Sequence, residues 1–152
     1  MVGFLGKKGL WLDSIGAICQ RVNPDGQLGA EFTTRTVGGT GGGTEGDRCL
    51  SGSVVASFFA TSGSFVEIIR MNCVGWDQNN KRPFPLDPNA PVNSDTLVGL
   101  GHWTEVLGYN QSPLNPRNQG FACPLPKVGK ALRGRYGIYI DSMRFVCDDW
   151  DK

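Results

Sequence analysis

Apolar and polar residues alternate over short stretches of this chain, and clusters of glycine, proline and asparagine separate these stretches. Between residues 11 and 17, one set of alternate positions holds Trp11, Ile15 and Ala17. A period of two is typical of a strand whose two faces differ in character. No long stretch has the apolar spacing and end caps of a helix. The pattern therefore predicts an all-β chain of short strands joined by turns.

Two pairs of strands follow from the same pattern in the rest of the chain. Residues 53–59 and 65–73 form one pair, and residues 127–135 and 139–147 form the other. Each pair is joined by a short segment that contains glycine, which is typical of a tight turn. We therefore expect two hairpins, together with the strand that begins near Trp11.

One five-residue motif occurs three times at these turns. Each copy holds glycine, an apolar or small residue, an aromatic, an aliphatic and an acid, and a cysteine lies six residues after each acid. The copies are Gly9-Leu10-Trp11-Leu12-Asp13, Gly63-Ser64-Phe65-Val66-Glu67 and Gly137-Ile138-Tyr139-Ile140-Asp141. Such recurrence indicates one structural unit repeated within a single domain. The repeats are expected at about residues 1–37, 38–100 and 101–152.

Four of the five cysteines form two pairs with the same spacing. Cys49 and Cys73 are 24 residues apart, and so are Cys123 and Cys147. If each repeat is a hairpin that bends just before its glycine, the members of each pair lie across the two strands. We therefore expect two disulfides, an oxidising compartment and a secreted protein. Five buried free thiols are the alternative.

Cys19 has no partner in this scheme. By the same spacing its partner would lie before Met1, so repeat 1 is expected to begin halfway through its hairpin. The strand that this leaves out would be lost, trimmed, or supplied by another segment or subunit. Cys19 is then a free, buried thiol, with an intermolecular disulfide as the alternative.

Composition excludes several classes of partner. The 152 residues carry a net charge of +1, which gives no general attraction to nucleic acid or to an anionic membrane. No apolar run approaches the roughly 20 residues of a membrane span. The first residues lack the long apolar segment of a signal peptide, so such a segment was removed or never existed. One histidine and no close cysteine pair argue against a metal site, and no cofactor is expected.

The glycine-rich segment 38–46 contains the spacing Gly-x-Gly-x-x-Gly at Gly41, Gly43 and Gly46. A nucleotide-binding loop with this spacing opens a helix, whereas here a strand follows. Glycine instead lets backbone amides approach a ligand, or lets a loop lie flat on a sheet.

The chain resembles the jacalin-related lectins and their β-prism relatives, most closely in residues 1–19, 38–73 and 121–147. The resemblance lies in Cys123-Pro124, a short aliphatic strand, Gly134-Arg135-Tyr136-Gly137 and then an aromatic, an aliphatic, Asp141 and a strand ending in cysteine. It implies a β-prism of three four-stranded antiparallel Greek-key sheets with pseudo-threefold symmetry. It also implies sugar binding through a Gly-x-x-x-Asp loop that is helped by a neighbouring glycine-rich loop.

Carried over residue by residue, the resemblance gives two sugar sites and a weaker third. The residues are Gly9, Leu10, Trp11 and Asp13 in the first, Gly137, Ile138, Tyr139 and Asp141 in the second, and Gly63, Phe65 and Glu67 in the weaker site. The supporting glycines are Gly39, Gly41, Gly42 and Gly43, although the sequence leaves open which acid they serve. Glutamate at position 67 departs from the motif, and its extra methylene is expected to move the carboxylate outward.

The chemistry of the motif suits a sugar. A carboxylate accepts hydrogen bonds from two adjacent hydroxyls, and an aromatic ring offers a flat face to the C–H side of a sugar. The motif also has a structural interpretation, in which the aromatic fills the space between sheets and the acid caps turn amides. A symmetric fold needs the same turn three times, so the recurrence fits both interpretations.

A run of cations precedes the third motif, at Lys127, Lys130, Arg133 and Arg135. It marks either an anionic glycan or lipid head group, or simply a solvated strand face. The expected partners are glycans, and membrane contact is expected only through glycans or head groups. The oligomeric state is left open.

Other functions fit the sequence less well. His102 is the only histidine, and a threefold arrangement would hold Asp13, Glu67 and Asp141 too far apart for paired-carboxylate hydrolysis, so no enzyme activity is expected. A toxin or membrane-targeting module, or a protein-interaction module, on the same scaffold is the main alternative. A secreted protein whose repeats serve stability alone is the third.

Overall fold

The computed structural model describes residues 1–86, 101–108 and 117–149, and the regular structure in these ranges consists of strands. The strands in chain order are β1 (Gly3–Lys8), β2 (Leu12–Val22), β3 (Leu28–Thr33), β4 (Val37–Gly38), β5 (Gly43–Arg48), β6 (Ser53–Ser62), β7 (Val66–Asp77), β8 (Arg82–Phe84), β9 (His102–Trp103), β10 (Leu107–Gly108), β11 (Arg117–Ala122), β12 (Val128–Tyr136) and β13 (Ile140–Asp148). No helix in these ranges is long and apolar enough to cross a bilayer.

Each of the three sheets is built on one long hairpin. The hairpins are β1–β2, β6–β7 and β12–β13, and all three are antiparallel. A three-residue turn closes each one, and the closing pairs are Lys8–Leu12, Ser62–Val66 and Tyr136–Ile140. The three five-residue motifs therefore form the same structural feature in three places.

Outer strands flank the first two hairpins in the same way. The first sheet has the order β3-β2-β1-β5, with β4 also paired to β2, and the second has the order β10-β7-β6-β11, with β8 and β9 also paired to β7. In each sheet the segment that follows the hairpin returns first to its second strand and then to its first strand. The expected three-sheet, all-β architecture is confirmed. The described residues of the third sheet supply two strands, β12 and β13, rather than four.

The expectation that repeat 1 begins halfway through its hairpin is wrong. Strand β1 pairs with β2 from Gly3 opposite Ile18 to Lys8 opposite Leu12. The six residues before Gly9 are enough for a full strand, because a strand is only a few residues long. The boundary expected at residue 100 lies outside the described residues, and the repeat boundaries stay a prediction.

The core lies between the inner faces of the three sheets. Phe4 comes from the first sheet, Phe58 and Met71 from the second, and Phe145 from the third. The rings of Phe58 and Phe145 stack with centroids 5.9 Å apart, which joins the second and third sheets. Burying a side chain of this size contributes about 1.5–3 kcal/mol, so these residues account for much of the attachment of sheet to sheet.

Both expected disulfides are confirmed, and Cys19 is a buried free thiol as expected. The members of each pair do not face each other across the hairpin, however, because Val55 lies opposite Cys73 and Gly129 lies opposite Cys147. Cys49 and Cys123 lie in the connections just before β6 and β12. Each bond therefore ties the return strand of a hairpin to the segment that enters that hairpin.

We expect the double variant Cys49→Ala/Cys73→Ala to lose about 2–4 kcal/mol of unfolding free energy, because the bond closes a long loop in the unfolded chain. Denaturant unfolding measures the loss. The control is Cys19→Ala, which removes a buried thiol without removing a bond and is expected to cost about 1 kcal/mol. Equal losses in the two variants would contradict the assignment of the bond.

A second measurement concerns the number of thiols. Without reductant, the folded protein is expected to react slowly with a thiol reagent, because Cys19 is only 8% exposed. The unfolded protein is expected to react at one thiol per chain, because the other four cysteines are bonded. Mass spectrometry of the labelled chain counts the reacted thiols, and three or five would contradict the pairing.

Candidate functional site

The acid of each motif is the extra residue of a β-bulge. We name the motifs corner 1 (residues 9–13), corner 2 (residues 63–67) and corner 3 (residues 137–141). In corner 1, Lys8 lies opposite Leu12 and Lys7 opposite Ser14, so Asp13 has no residue across from it. The same register shift occurs in the other two corners and isolates Glu67 and Asp141. A bulge re-aims the side chain of its extra residue, and here that residue is always the acid.

The turns before these bulges are also alike. In each corner the glycine N–H donates to the carbonyl of the aromatic residue two positions later. The bonds are Gly9–Trp11 at 3.0 Å, Gly63–Phe65 at 3.1 Å and Gly137–Tyr139 at 2.9 Å. The three turns therefore share one backbone conformation despite different residues at the second and third positions.

The three aromatic residues meet one another. Trp11 lies 5.5 Å from Phe65 and 4.8 Å from Tyr139, and Phe65 lies 5.0 Å from Tyr139, measured between ring centroids. Their edge-on and tilted arrangement is one that aromatic rings prefer, worth about 0.5–1.5 kcal/mol per pair beyond the buried area. The aromatics thus fill the space where the three corners converge. Each half-buried ring uses part of its surface in contacts with the other two.

A glycine segment covers Asp13. Strand β4 pairs with Ser14 and Ile15, and the N–H of Gly39 donates to the carbonyl of Asp13 at 2.8 Å. The chain then passes over the carboxylate, so a Cβ on Gly41 would lie 2.8 Å from Oδ1 and one on Gly42 would lie 2.6 Å from Oδ2. Only glycine allows this approach. The glycine-rich segment therefore lies over Asp13.

Asp13 is consequently buried, with 4% of its surface exposed. Its Oδ2 is buried and accepts no hydrogen bond. A buried polar atom without a partner costs about 1–3 kcal/mol, and more when it is charged. The carboxylate of corner 1 is thus an acceptor that lacks a donor.

Two lysines of β1 hold the segment in place. The ammonium of Lys7 donates to the carbonyl of Thr40 at 3.0 Å, and Lys8 pairs with Glu45 of β5. Both partners of the Lys8–Glu45 pair are partly exposed, so the pair adds little stability. The Lys7 contact ties the glycine segment to β1, and the Lys8 pair ties β5 to β1.

Corner 2 is built like corner 1. Strand β10 pairs with Ile68 and Ile69, just as β4 pairs with Ser14 and Ile15. The glycines that end these strands, Gly38 and Gly108, have φ angles of 115° and 118°. A Cβ on either would collide with the carbonyl oxygen of the corner's acid, Asp13 or Glu67. An aliphatic-glycine pair thus lies against the bulge in both corners.

The outward position expected for Glu67 is wrong. Glu67 is 4% exposed, and its Oε2 is buried without a hydrogen-bond partner. The side chain of the bulge residue is buried, so the extra methylene does not carry the carboxylate to the surface. The residues that follow Gly108 lie outside the described part of the chain.

Corner 3 differs from the other two. Asp141 is exposed, and within the described ranges no strand takes the place beside β13 that β4 and β10 take beside β2 and β7. Ile138 at its tip is 75% exposed. Of the three acids, Asp141 is therefore the exposed one, whereas Asp13 and Glu67 are buried.

The glycine segment also touches corner 3. A Cβ on Gly39 would collide with the carbonyl oxygen of Ile138, and one on Gly38 would lie 3.0 Å from Cδ1 of Ile140. The segment thus contacts the turns of corners 1 and 3, at Gly9 and Ile138. Leu10 and Ile138, the second residues of these turns, are 55% and 75% exposed. The candidate site is a buried carboxylate under a cover of glycine backbone that lies against both turns.

Sequence reasoning missed strands β4 and β10. Their signal is an aliphatic residue followed by glycine, Val37-Gly38 and Leu107-Gly108. Gly38 follows its acid by 25 residues and Gly108 follows its acid by 41, so a search for equal spacing fails. The glycine-rich segment is also shorter than expected, because Gly43 already begins β5.

The geometry suits reversible recognition of hydroxyl groups by a carboxylate and backbone amides. Within the described ranges, no group of three or more His, Cys, Asp or Glu side chains is placed to hold a metal ion.

Comparison with solved structures gives the fold. The structure of wild-type Malaysian banana lectin matches this chain with a TM-score of 0.57 at 14% sequence identity, and the match covers 97% of this chain and 82% of the lectin chain. The expected lectin-type β-prism fold is therefore confirmed. No protein-family model matches the chain, and no curated protein matches it in sequence.

We expect Gly42→Ala to destabilise the site, because Gly42 has a φ of 69° and a Cβ there would meet the carbonyl of Lys8 and Oδ2 of Asp13. The cost is about 1–3 kcal/mol in denaturant unfolding. The control is the neighbouring Gly43→Ala, where a Cβ meets nothing within 4 Å. Equal stability of the two variants would show that the segment does not lie on Asp13 as described.

Proposed function

We propose that this protein is a secreted lectin that binds carbohydrate at corner 1, with Asp13 as the main acceptor for sugar hydroxyls. The single observation that carries the proposal is the buried, unpartnered Oδ2 of Asp13 beneath a cover made of glycine backbone. The fold shared with banana lectin supports it.

The energetics favour a ligand that donates hydrogen bonds. A sugar hydroxyl that donates to Asp13 supplies the partner that Oδ2 lacks, and a hydrogen bond to a charged group is worth about 1.5–3 kcal/mol. Reaching Oδ2 requires the chain at residues 40–42 to move outward. Two of these three residues are glycines and all three are exposed, and the movement breaks the hydrogen bond from Lys7 to the carbonyl of Thr40.

Apolar contacts complete the site. Leu10 and Ile138, the second residues of the turns that the glycine segment contacts, are largely exposed. In this proposal they supply apolar contacts to the C–H faces of the sugar. The sequence predicted the aromatic of each motif as the apolar contact of the sugar. We propose the residue before the aromatic instead, because the aromatics pack against each other.

Corners 2 and 3 are the weaker candidates. Corner 2 repeats the covered acid of corner 1 with Glu67, and its glycine Gly108 holds the same position as Gly38. Corner 3 offers an exposed Asp141, which water already solvates and which therefore gains less from a ligand. We place the affinity in the order corner 1, corner 2, corner 3.

Binding without turnover, and without a cofactor, follows from the same chemistry. The three acids belong to three separate corners, and each has its own turn and its own surroundings. Two disulfides are consistent with an oxidising compartment, which agrees with secretion and with glycans as partners.

The test is glycan-array screening of the purified protein, followed by calorimetric titration of Asp13→Asn with the best ligand. Loss of the charged acceptor is expected to weaken binding about 10- to 100-fold, while the fold is unchanged. The control is Asp25→Asn, an exposed aspartate in the turn before β3. Reducing-end release from the best ligand is expected to stay at the buffer rate.

Two outcomes would contradict the proposal. A blank array, with Asp13→Asn changing only the unfolding free energy, would leave a structural role for the corners. A blank array with leakage of anionic liposomes would favour the membrane-targeting alternative, in which Leu10 and Ile138 insert into the bilayer beside Lys7 and Lys8.

A further inference from the structure

We infer that residues 40–42 form a strap that opens and closes over Asp13, and that the hydrogen bond from Lys7 to this strap is its latch. The strap and its latch depend on contacts at corner 1 alone. The effect of the latch on sugar affinity rests in addition on the proposed sugar site.

Both ends of the strap are fixed by neighbouring strands. At one end the N–H of Gly39 donates to the carbonyl of Asp13 at 2.8 Å. At the other end Gly43 begins β5 and lies opposite Lys8 of β1 in the antiparallel pair. Movement is therefore confined to the three residues between these two anchors.

The strap has the conformational freedom that such a movement needs. Gly41 and Gly42 are two of its three residues, and Gly42 has a φ of 69°. Glycine adopts both signs of φ readily, so these positions change conformation without the steric cost that a side chain would impose. All three residues are exposed, so the strap itself buries little surface when it is closed.

The closed strap has a cost at Asp13. The side chain is 4% exposed, and its Oδ2 is buried without a hydrogen-bond partner among the described residues. In the open form water reaches this oxygen and donates a hydrogen bond to it, which removes the cost of burial. The closed form therefore needs a compensating contact.

Lys7 supplies this contact. Its ammonium donates to the carbonyl of Thr40 at 3.0 Å, and between described residues this is the one side-chain hydrogen bond made to the strap. A hydrogen bond from a charged donor is stronger than one between neutral groups. Because the acceptor belongs to the strap, the bond is made in the closed form and lost when the strap lifts.

The latch sets how much of the protein is ready to bind. A ligand that reaches Oδ2 of Asp13 binds the open form alone, so its apparent affinity is the intrinsic affinity multiplied by the open fraction. Removing the latch raises this fraction. While the closed form predominates, the affinity therefore rises by the same factor.

Carbodiimide labelling of carboxylates measures the opening without any sugar. With glycine ethyl ester as the amine, the reagent converts an accessible carboxylate into an amide, and mass spectrometry of peptides gives the rate at each acid. Asp13 reacts in the open form, so its rate follows the open fraction. Lys7→Met keeps most of the side-chain length and removes the donor, and is expected to raise this rate about three- to tenfold.

Two variants and one internal reference serve as controls. Lys81→Met removes the same kind of bond elsewhere, from an ammonium to the carbonyl of Pro24 at 2.7 Å, and is expected to leave the rate at Asp13 unchanged. Thr40→Ala keeps the backbone carbonyl that Lys7 uses, and the rate is again expected to stay the same. Glu67, buried in corner 2, reports any general loosening of the fold.

Calorimetric titration with the best ligand from the glycan array tests the coupling to binding. Lys7→Met is expected to bind this sugar more tightly, by the factor by which labelling of Asp13 rises, and Lys81→Met is expected to bind it as the parent protein does. A blank array together with faster labelling in Lys7→Met would support the strap and contradict the proposed sugar site.

Three results would overturn the inference. The first is an equal labelling rate at Asp13 in the parent protein and in Lys7→Met. The second is a parallel rise at Glu67, which would indicate that the whole fold has loosened. The third is weaker sugar binding by Lys7→Met, which would identify Lys7 as a contact of the sugar rather than a latch.

Discussion

The β-bulge beside each three-residue turn is the constraint on which the rest of this structure depends. Because Lys8 closes on Leu12 and Lys7 on Ser14, Asp13 is left without a cross-strand neighbour, and Glu67 and Asp141 are isolated in the same way. The same turn sends Trp11, Phe65 and Tyr139 toward a common point. One local backbone feature thus joins the three sheets through their aromatics. In each sheet it also leaves one acid without a cross-strand partner.

What surrounds each acid decides its chemistry. Strand β4 and the glycine segment cover Asp13, β10 covers the backbone beside Glu67, and Asp141 stands exposed. The three corners share a backbone and nearly share a sequence, yet two of the acids are buried acceptors without donors and the third is solvated. This asymmetry is the reason that we assign the strongest sugar site to corner 1.

The same asymmetry of surroundings extends to the sheets. The first two central hairpins have outer strands on both sides, and their cations include the ion-paired Lys8. In the third sheet the described strands are the hairpin itself, and an apolar cleft with an arginine rim lies along β12. Within the described ranges, equivalent corners and hairpins of a threefold fold therefore have different surroundings.

The sequence by itself determined the local features. The alternation of residues predicted strands, the motif predicted three equivalent turns, and the 24-residue spacing predicted both disulfides, because each of these depends on residues close together in the chain. Only the tertiary structure decided that Glu67 is buried, that the glycine segment lies over Asp13, and that Cys49 and Cys123 lie outside the hairpin ladders. These depend on β4 and β10, which return to their corners after 25 and 41 residues. Contacts made across unequal connections leave no regular spacing in the chain.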